Sequence, residues 1–297
     1  MSRPILDGPQ GFAKVCEQLL GLSPAAIGKL GSSELSLAYY VFKTKRIHNP
    51  PPIPNEMLDL LSINAGLFPA TQATAVKMGN ELLTAVLHFT MTSPWFGVQQ
   101  SLEIYNVLSK PADFVAINCF ECFLSPNPND WWTARLPAKT KVLVVSPFSS
   151  SIEAQIPNLD KIWASRPGLW NPELQFQTIQ FPLSYGTQTE KIQKEMTDRW
   201  TDSLGLVSSI KTQMDTIDYD IVLIGAGIHS LPLMAHAKQK GKKAIHLGGS
   251  TQLFFGIRGG RWDTMADFQQ FFNEHWIRPS VEERPVNYTT VEKGCYW

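Results

Sequence analysis

Three short stretches of this chain hold the residue types from which phosphate-binding and proton-transferring sites are built. "GAGIHS" at residues 225–230 supplies Gly225, Gly227, His229 and Ser230. "HLGGSTQLFFGIRGGRWD" supplies His246, Gly248 and Gly249, then Arg258 and Arg261 beside Trp262. "SPFSSSIEAQ" places Ser149, Ser150 and Ser151 at an expected helix start. Glycines allow a tight turn and a close backbone approach, and a helix beginning there offers free N–H groups and the positive end of a dipole. Two arginines on a glycine-punctuated segment suit a diphosphate or a sugar carboxylate, through forked, charge-assisted hydrogen bonds. His229 and His246 both fall at strand ends. Imidazole titrates near neutrality, so either can act as a general base.

Each feature also has a plain structural reading. The glycines can serve strand–helix packing alone, the serines can be ordinary N-caps, and the arginines can lie on a solvated turn. A lone histidine is more often structural than catalytic. The full dinucleotide fingerprint asks for a third glycine and, about twenty residues on, an acid for the ribose hydroxyls. Here Ser230 takes the place of the third glycine, and the next strand ends Ile245-His246-Leu247 with no acid nearby. That counts against a nicotinamide cofactor. No H-E-x-x-H, G-x-S-x-G or Walker sequence occurs, which excludes zinc proteases, typical α/β-hydrolases and P-loop kinases. Cys119 and Cys122 form a C-x-x-C pair without a second pair for zinc, and read as two thiols at a strand end.

These residues need elements to hold them. Residues 1–110 read as mostly helical: "PQGFAKVCEQLLG", "SSELSLAYYVFK", "NEMLDLLSINAG" and "TQATAVKMGNELLTAVLHFTM" carry apolar residues at helical spacing. "GKLG" ahead of the second run reads as a short strand feeding a turn. From about residue 111 strands and helices alternate. "DFVAINC", "KVLVVSPF", "LQFQTIQF", "YDIVLIGAG" and "KAIHLGG" are expected strands, and "KIQKEMTDRWTDSLGLVSSIKTQMD" one long helix. The near-continuous apolar runs demand cover on both faces. The pattern predicts an α/β chain with a Rossmann-like, doubly wound, mainly parallel sheet, and a helical N-terminal region packed on it. Ligands of such folds lie along the carboxyl edge of the strands.

The bulk numbers agree with a globular chain. Of 297 residues, 43% are hydrophobic and 18% charged, and Lys plus Arg and Asp plus Glu both total 26. A zero net charge argues against nucleic-acid binding, whose affinity is dominated by phosphate contacts. No run approaches the ~18 apolar residues of a membrane helix, and the start has no apolar core of a signal peptide. A cytoplasmic location is the expectation, with the sequon at Asn287 idle.

Two segments together carry a resemblance. "KLGSSELSLAYYVF" resembles the "R-x-G-D-G-E-L" opening of the GT-D-type glycosyltransferases, and "IVLIGAGIHSLPLMAHAKQKGKKAIHLGG" resembles that family's strand–glycine turn–helix–strand segment. "KVLVVSPFSSSIEAQIP", "AIHLGGSTQLFFGIRGGRWD" and the tail also look like proteins of bacterial surface-polysaccharide gene clusters and some large viruses. The resemblance implies transfer of a sugar from a nucleotide-sugar donor to a glycan acceptor on a Rossmann-like domain. In that family an Asp-x-Glu motif assists through a divalent cation such as Mg or Mn. Glu34 matches the glutamate, as a base or a donor ligand, whereas Ser32 stands where the aspartate belongs. A serine hydroxyl is a poor ligand for a hard cation. The rival expectations are a dinucleotide-dependent oxidoreductase and a non-catalytic α/β scaffold of a glycan-assembly complex.

Overall fold

Val142–Val145 and Ile221–Ile224 are apolar at every position, so neither face of either strand can meet water. In the structure, a computed structural model describing residues 3–109 and 112–297, both lie inside one sheet. The strands are β1 (Ile5–Leu6), β2 (Ala25–Gly28), β3 (Met91–Thr92), β4 (Asp113–Val115), β5 (Lys141–Ser146), β6 (Gln175–Gln180), β7 (Ile221–Ile224) and β8 (Lys243–His246). They form an eight-stranded sheet in the order β1-β4-β3-β2-β8-β7-β5-β6. Every pairing is parallel. The fold is the expected Rossmann-like, doubly wound α/β architecture.

The helices are α1 (Gly8–Leu20), α2 (Ser32–Thr44), α3 (Asn55–Ala65), α4 (Gln72–Val86), α5 (Val98–Leu108), α6 (Trp132–Arg135), α7 (Ser149–Gln155) and α8 (Leu159–Ile162). Then come α9 (Glu190–Trp200), α10 (Ser203–Thr216), α11 (Ser230–Gln239), α12 (Gly260–Asp263) and α13 (Ala266–Gln269). Successive strand residues point to opposite faces, which sorts the core into two layers. Leu143, Val145, Val222, Ile224 and Ala244 face α2, α3, α4, α10 and α11. Val142, Val144, Ile221, Leu223 and Ile245 face α1, α7, α8 and an aromatic cluster that includes Phe254, Phe255, Trp163 and Trp276.

Four details depart from the sequence expectation. The N-terminal region, mostly helical, also supplies β1, β2 and β3, whose two to four residues are too short to show a period. The strand expected at "GKLG" is Ala25–Gly28, and Lys29-Leu30-Gly31 is the turn after it. The long helix expected after residue 190 breaks at Thr201, whose φ is 61°, and restarts where Asp202 accepts from the backbone N–H groups of Leu204 and Gly205. "DFVAINC" is strand only over Asp113–Val115 before short 3-10 turns begin.

The winding sets the position of the site. After β2 the chain runs into α2 on one face, and after β8 it runs into the Phe254 segment on the other. These two strands are neighbours. A crevice must open between their carboxyl ends, because their following segments leave in opposite directions. Among the described residues no helix is long and apolar enough to cross a membrane.

Candidate functional site

The crevice is a cavity of about 120 Å³, lined from β2 by Lys29 and Gly31–Glu34, from β7 by Gly225 and Gly227, and from β8 by His246, Gly248 and Gly249. Ser146 at the end of β5 and Pro147 after it complete the strand-edge floor, and Trp95, Tyr185, Arg261, Glu292 and Tyr296 form the walls. Glu34 and the glycine turns therefore meet in one pocket, although nearly two hundred residues of chain separate them.

The β2 side brings a lysine and a helix start to the cavity. Gly31 caps α2, and a glycine has no side chain to give to the first N–H groups of the helix. Those groups have no partner within the helix either, and Ser32, Ser33 and Glu34 all line the cavity. Beside them stands Lys29, half-buried, which makes no hydrogen bond or ion pair with any described residue. Its ammonium lies over the Trp95 ring, 4.8 Å from the centroid. Burial lowers its pKa, against an opposing pull from Glu34.

The two glycine turns do different work from the one their spacing suggests. A Cβ on Gly225 would stand 2.7 Å from the Gly248 carbonyl and from Thr251 Oγ1, so its first service is to let the β7 and β8 turns touch. Gly248 has φ of +61°, which favours glycine, and its open side faces Lys29 Nζ at 3.5 Å from an added Cβ. His246 donates through Nδ1–H to the Ile224 carbonyl, 3.3 Å away. Burial, then the Lys29 charge, brings its pKa down to about 3. It is a neutral hydrogen-bonding group at neutral pH, and a weak base.

Arg261 reaches the cavity and Arg258 does not. Arg261 pairs with Glu292 and lies over the Tyr296 ring, 5.0 Å from its centroid. Burial works against its charge, but Tyr296, Cys295 and Glu292 outweigh it and hold the pKa above the ordinary value. Arg258 turns away to Asp263 at 2.9 Å and stacks over Phe272. Its expected place at the cleft mouth is thus taken by a local carboxylate five residues along the chain.

Four more expected site residues lie outside the cavity lining. His229 is sealed, with Phe181 and Phe68 against its ring, Nδ1 at 3.2 Å from the Ala226 carbonyl, and Nε2 without a partner. Burial brings its pKa down to about 4. Ser230 is fully buried and accepts from the Ala226 N–H, closing the turn instead of facing a ligand. Ser149 and Ser150 begin α7, but that helix end is already filled. Glu283 Oε1 accepts from Ser150 N at 2.7 Å and Ser151 N at 3.1 Å, and its other oxygen takes the Ser151 hydroxyl.

Sequence reasoning missed Lys29, Trp95, Gln252, Glu292 and Tyr296. Lys29 sits inside the quoted "KLGSSEL" run, and its place directly after a strand was the available signal. Gln252 donates to the Ile257 and Tyr296 carbonyls, leaving Oε1 as a buried acceptor without a partner on the cavity wall. Half-buried Glu121, behind Lys29, has its carboxyl pushed up to about 7 by burial, against the opposing influence of Ser250, Lys29 and Arg261. Cys119 and Cys122 are buried free thiols, each pushed by burial up to about 12.

No known family, curated protein or solved structure matches this chain. The functional reading must come from the pocket.

Proposed function

We propose that the pocket binds a nucleotide-activated sugar, and that the chain transfers this sugar to a hydroxyl of a glycan acceptor. One observation carries the reading: an unpartnered lysine and an uncapped helix N-terminus face a polar cavity at the sheet's switch point, with a carboxylate in the same cavity. Leaving a half-buried cation without a partner costs stability unless an anion completes the site. A diphosphate does so, and a diphosphate is what leaves in sugar transfer.

Glu34 accepts the proton of the acceptor hydroxyl as its oxygen attacks the anomeric carbon. The bond from that carbon to the diphosphate oxygen breaks, and the diphosphate departs with the electron pair. Lys29, Arg261 and the first N–H groups of α2 stabilise the developing charge, which is greater in the transition state than in the bound donor. His246, neutral and weakly basic, orients sugar hydroxyls. The cavity volume holds roughly eight to twelve waters, enough for a diphosphate or a sugar, so the nucleoside lies beyond the rim. The divalent cation of GT-D-type enzymes does not fit the residues here. Ser32 replaces the aspartate, and the described residues contain no group of three His, Cys, Asp or Glu side chains suited to a metal. Charge neutralisation therefore falls to Lys29 and Arg261.

The test is a panel of nucleotide sugars incubated with the protein and assayed for free nucleotide. Release is expected with at least one donor. Arg261→Ala should weaken binding of that donor about ten- to a hundredfold, the loss of one charge-assisted contact, and Arg258→Ala should leave it unchanged. Thermal stabilisation by NAD(P) alone would point to the oxidoreductase, and no response to either class to the scaffold.

A further inference from the structure

Trp95 stands at the mouth of the cavity with 42% of its surface exposed, and its neighbour Phe96 with 46%. Exposed single apolar residues are common, but this ring is held still. Its Nε1 donates to the Leu30 carbonyl at 3.1 Å, Lys29 lies over the ring, and Phe96 packs at 5.8 Å between centroids. A fixed aromatic surface binds with little loss of side-chain freedom. Leu30 directly precedes Gly31, the cap of α2, whose third residue is Glu34. The indole is therefore anchored to the turn that carries the proposed base.

We infer that Trp95 is the acceptor platform, on which a sugar ring of the acceptor stacks its C–H face while a hydroxyl is presented to Glu34. The inference rests on the sugar-transfer reading and adds the acceptor's chemical class: a pyranose glycan, held by an aromatic surface at the mouth of the polar cavity. A nucleobase can also stack on an indole. The attachment of Trp95 to the Glu34 turn favours the acceptor, because the base acts on the acceptor's hydroxyl and not on the nucleoside. Phe96 extends the surface outward, which suits an acceptor longer than one sugar.

Calorimetric titrations with maltose, cellobiose and lactose, and separately with uridine and guanosine diphosphates, test the assignment in the wild type, Trp95→Ala and Trp95→Phe. At least one disaccharide should bind the wild type, about tenfold or more weakly to Trp95→Ala, with much of the affinity restored in Trp95→Phe. Intrinsic fluorescence of the remaining tryptophans checks that each variant is folded. Nucleoside diphosphate affinity should be equal in all three proteins. A tenfold loss of nucleoside diphosphate binding in Trp95→Ala would show that the indole holds the base instead, and would overturn the proposal. So would equal disaccharide affinity in all three, or no disaccharide binding to the wild type. If no nucleoside diphosphate binds any of the proteins while disaccharide binding still depends on Trp95, sugar transfer falls and the platform stands.

Discussion

Two helices start at the same sheet edge with the same kind of residue, and the protein treats them in opposite ways. α7 follows β5 and opens with three serines, and α2 follows β2 and opens with two. At α7 a buried carboxylate, Glu283, comes from far along the chain to accept from the first N–H groups and a hydroxyl. At α2 the cap is a glycine with only Glu34's own carboxylate folded back beside it, Lys29 makes no hydrogen bond or ion pair with a described residue, and the cavity opens there. The first end is complete and contributes to stability. On the function proposed here, the second is completed by the anionic ligand. Local sequence is nearly the same for both, so the difference lies in what the rest of the chain supplies.

The strongest way to break this contrast is to remove the internal plug. Glu283→Ala should lower the unfolding free energy by about 2–4 kcal/mol, because the buried Ser151 N–H and hydroxyl and the part-buried Ser150 N–H lose their acceptor. A shift of the urea midpoint at constant slope would report it, and affinity for nucleoside diphosphate in the native protein should not change. Next is the open end. Lys29→Met should cost about ten- to a hundredfold in donor affinity, measured by calorimetric titration, while raising the unfolding free energy by about 1 kcal/mol. A stable variant that binds poorly marks a residue kept for its ligand, and loss of both properties would show Lys29 to be structural.

The smallest effect concerns Glu121 behind Lys29. Its folded pKa is raised to about 7 from 4.5, so its contribution to stability is fully present below the unfolded value and is lost as pH rises through about 7. Glu121→Gln removes that loss. The variant should match the wild type near pH 4 and exceed it by about 1–2 kcal/mol above pH 7, a value reduced for partial solvent access. The buried histidines act in the other direction, losing stability as pH falls from about 6.5 towards 4, but they are common to both proteins and cancel in the difference.

The parts of the molecule that could be read from sequence are those decided by neighbouring residues. Apolar runs such as "KVLVV" and "IVLI" reveal interior parallel strands because burial on both faces leaves no polar position. The carboxyl edge follows from the winding, and with it the placing of Gly225, His246 and Gly248 at one crevice. What could not be read depends on partners distant in sequence. Nothing near Ser150 announces Glu283, and nothing near His229 announces the rings of Phe68 and Phe181 that seal it. Arg258 is different, since Asp263 lies five residues away and its claim on the guanidinium was visible. Lys29 was hidden by its ordinariness, since only the lack of a partner makes it notable.

The seam beneath the cavity also decides when the site comes into being. β2 and β8 are joined with Ala25 paired to Lys243, so the two sides of the pocket lie far apart in sequence. A parallel pair cannot form as a local hairpin, and the entropy of closing so long a loop must be met before its contacts can repay it. Non-local parallel pairing of this kind slows folding. On the ribosome, β2 waits with an open edge until β8 has emerged, and during that interval no crevice exists to be filled. The crevice thus exists only once the sheet has closed between β2 and β8.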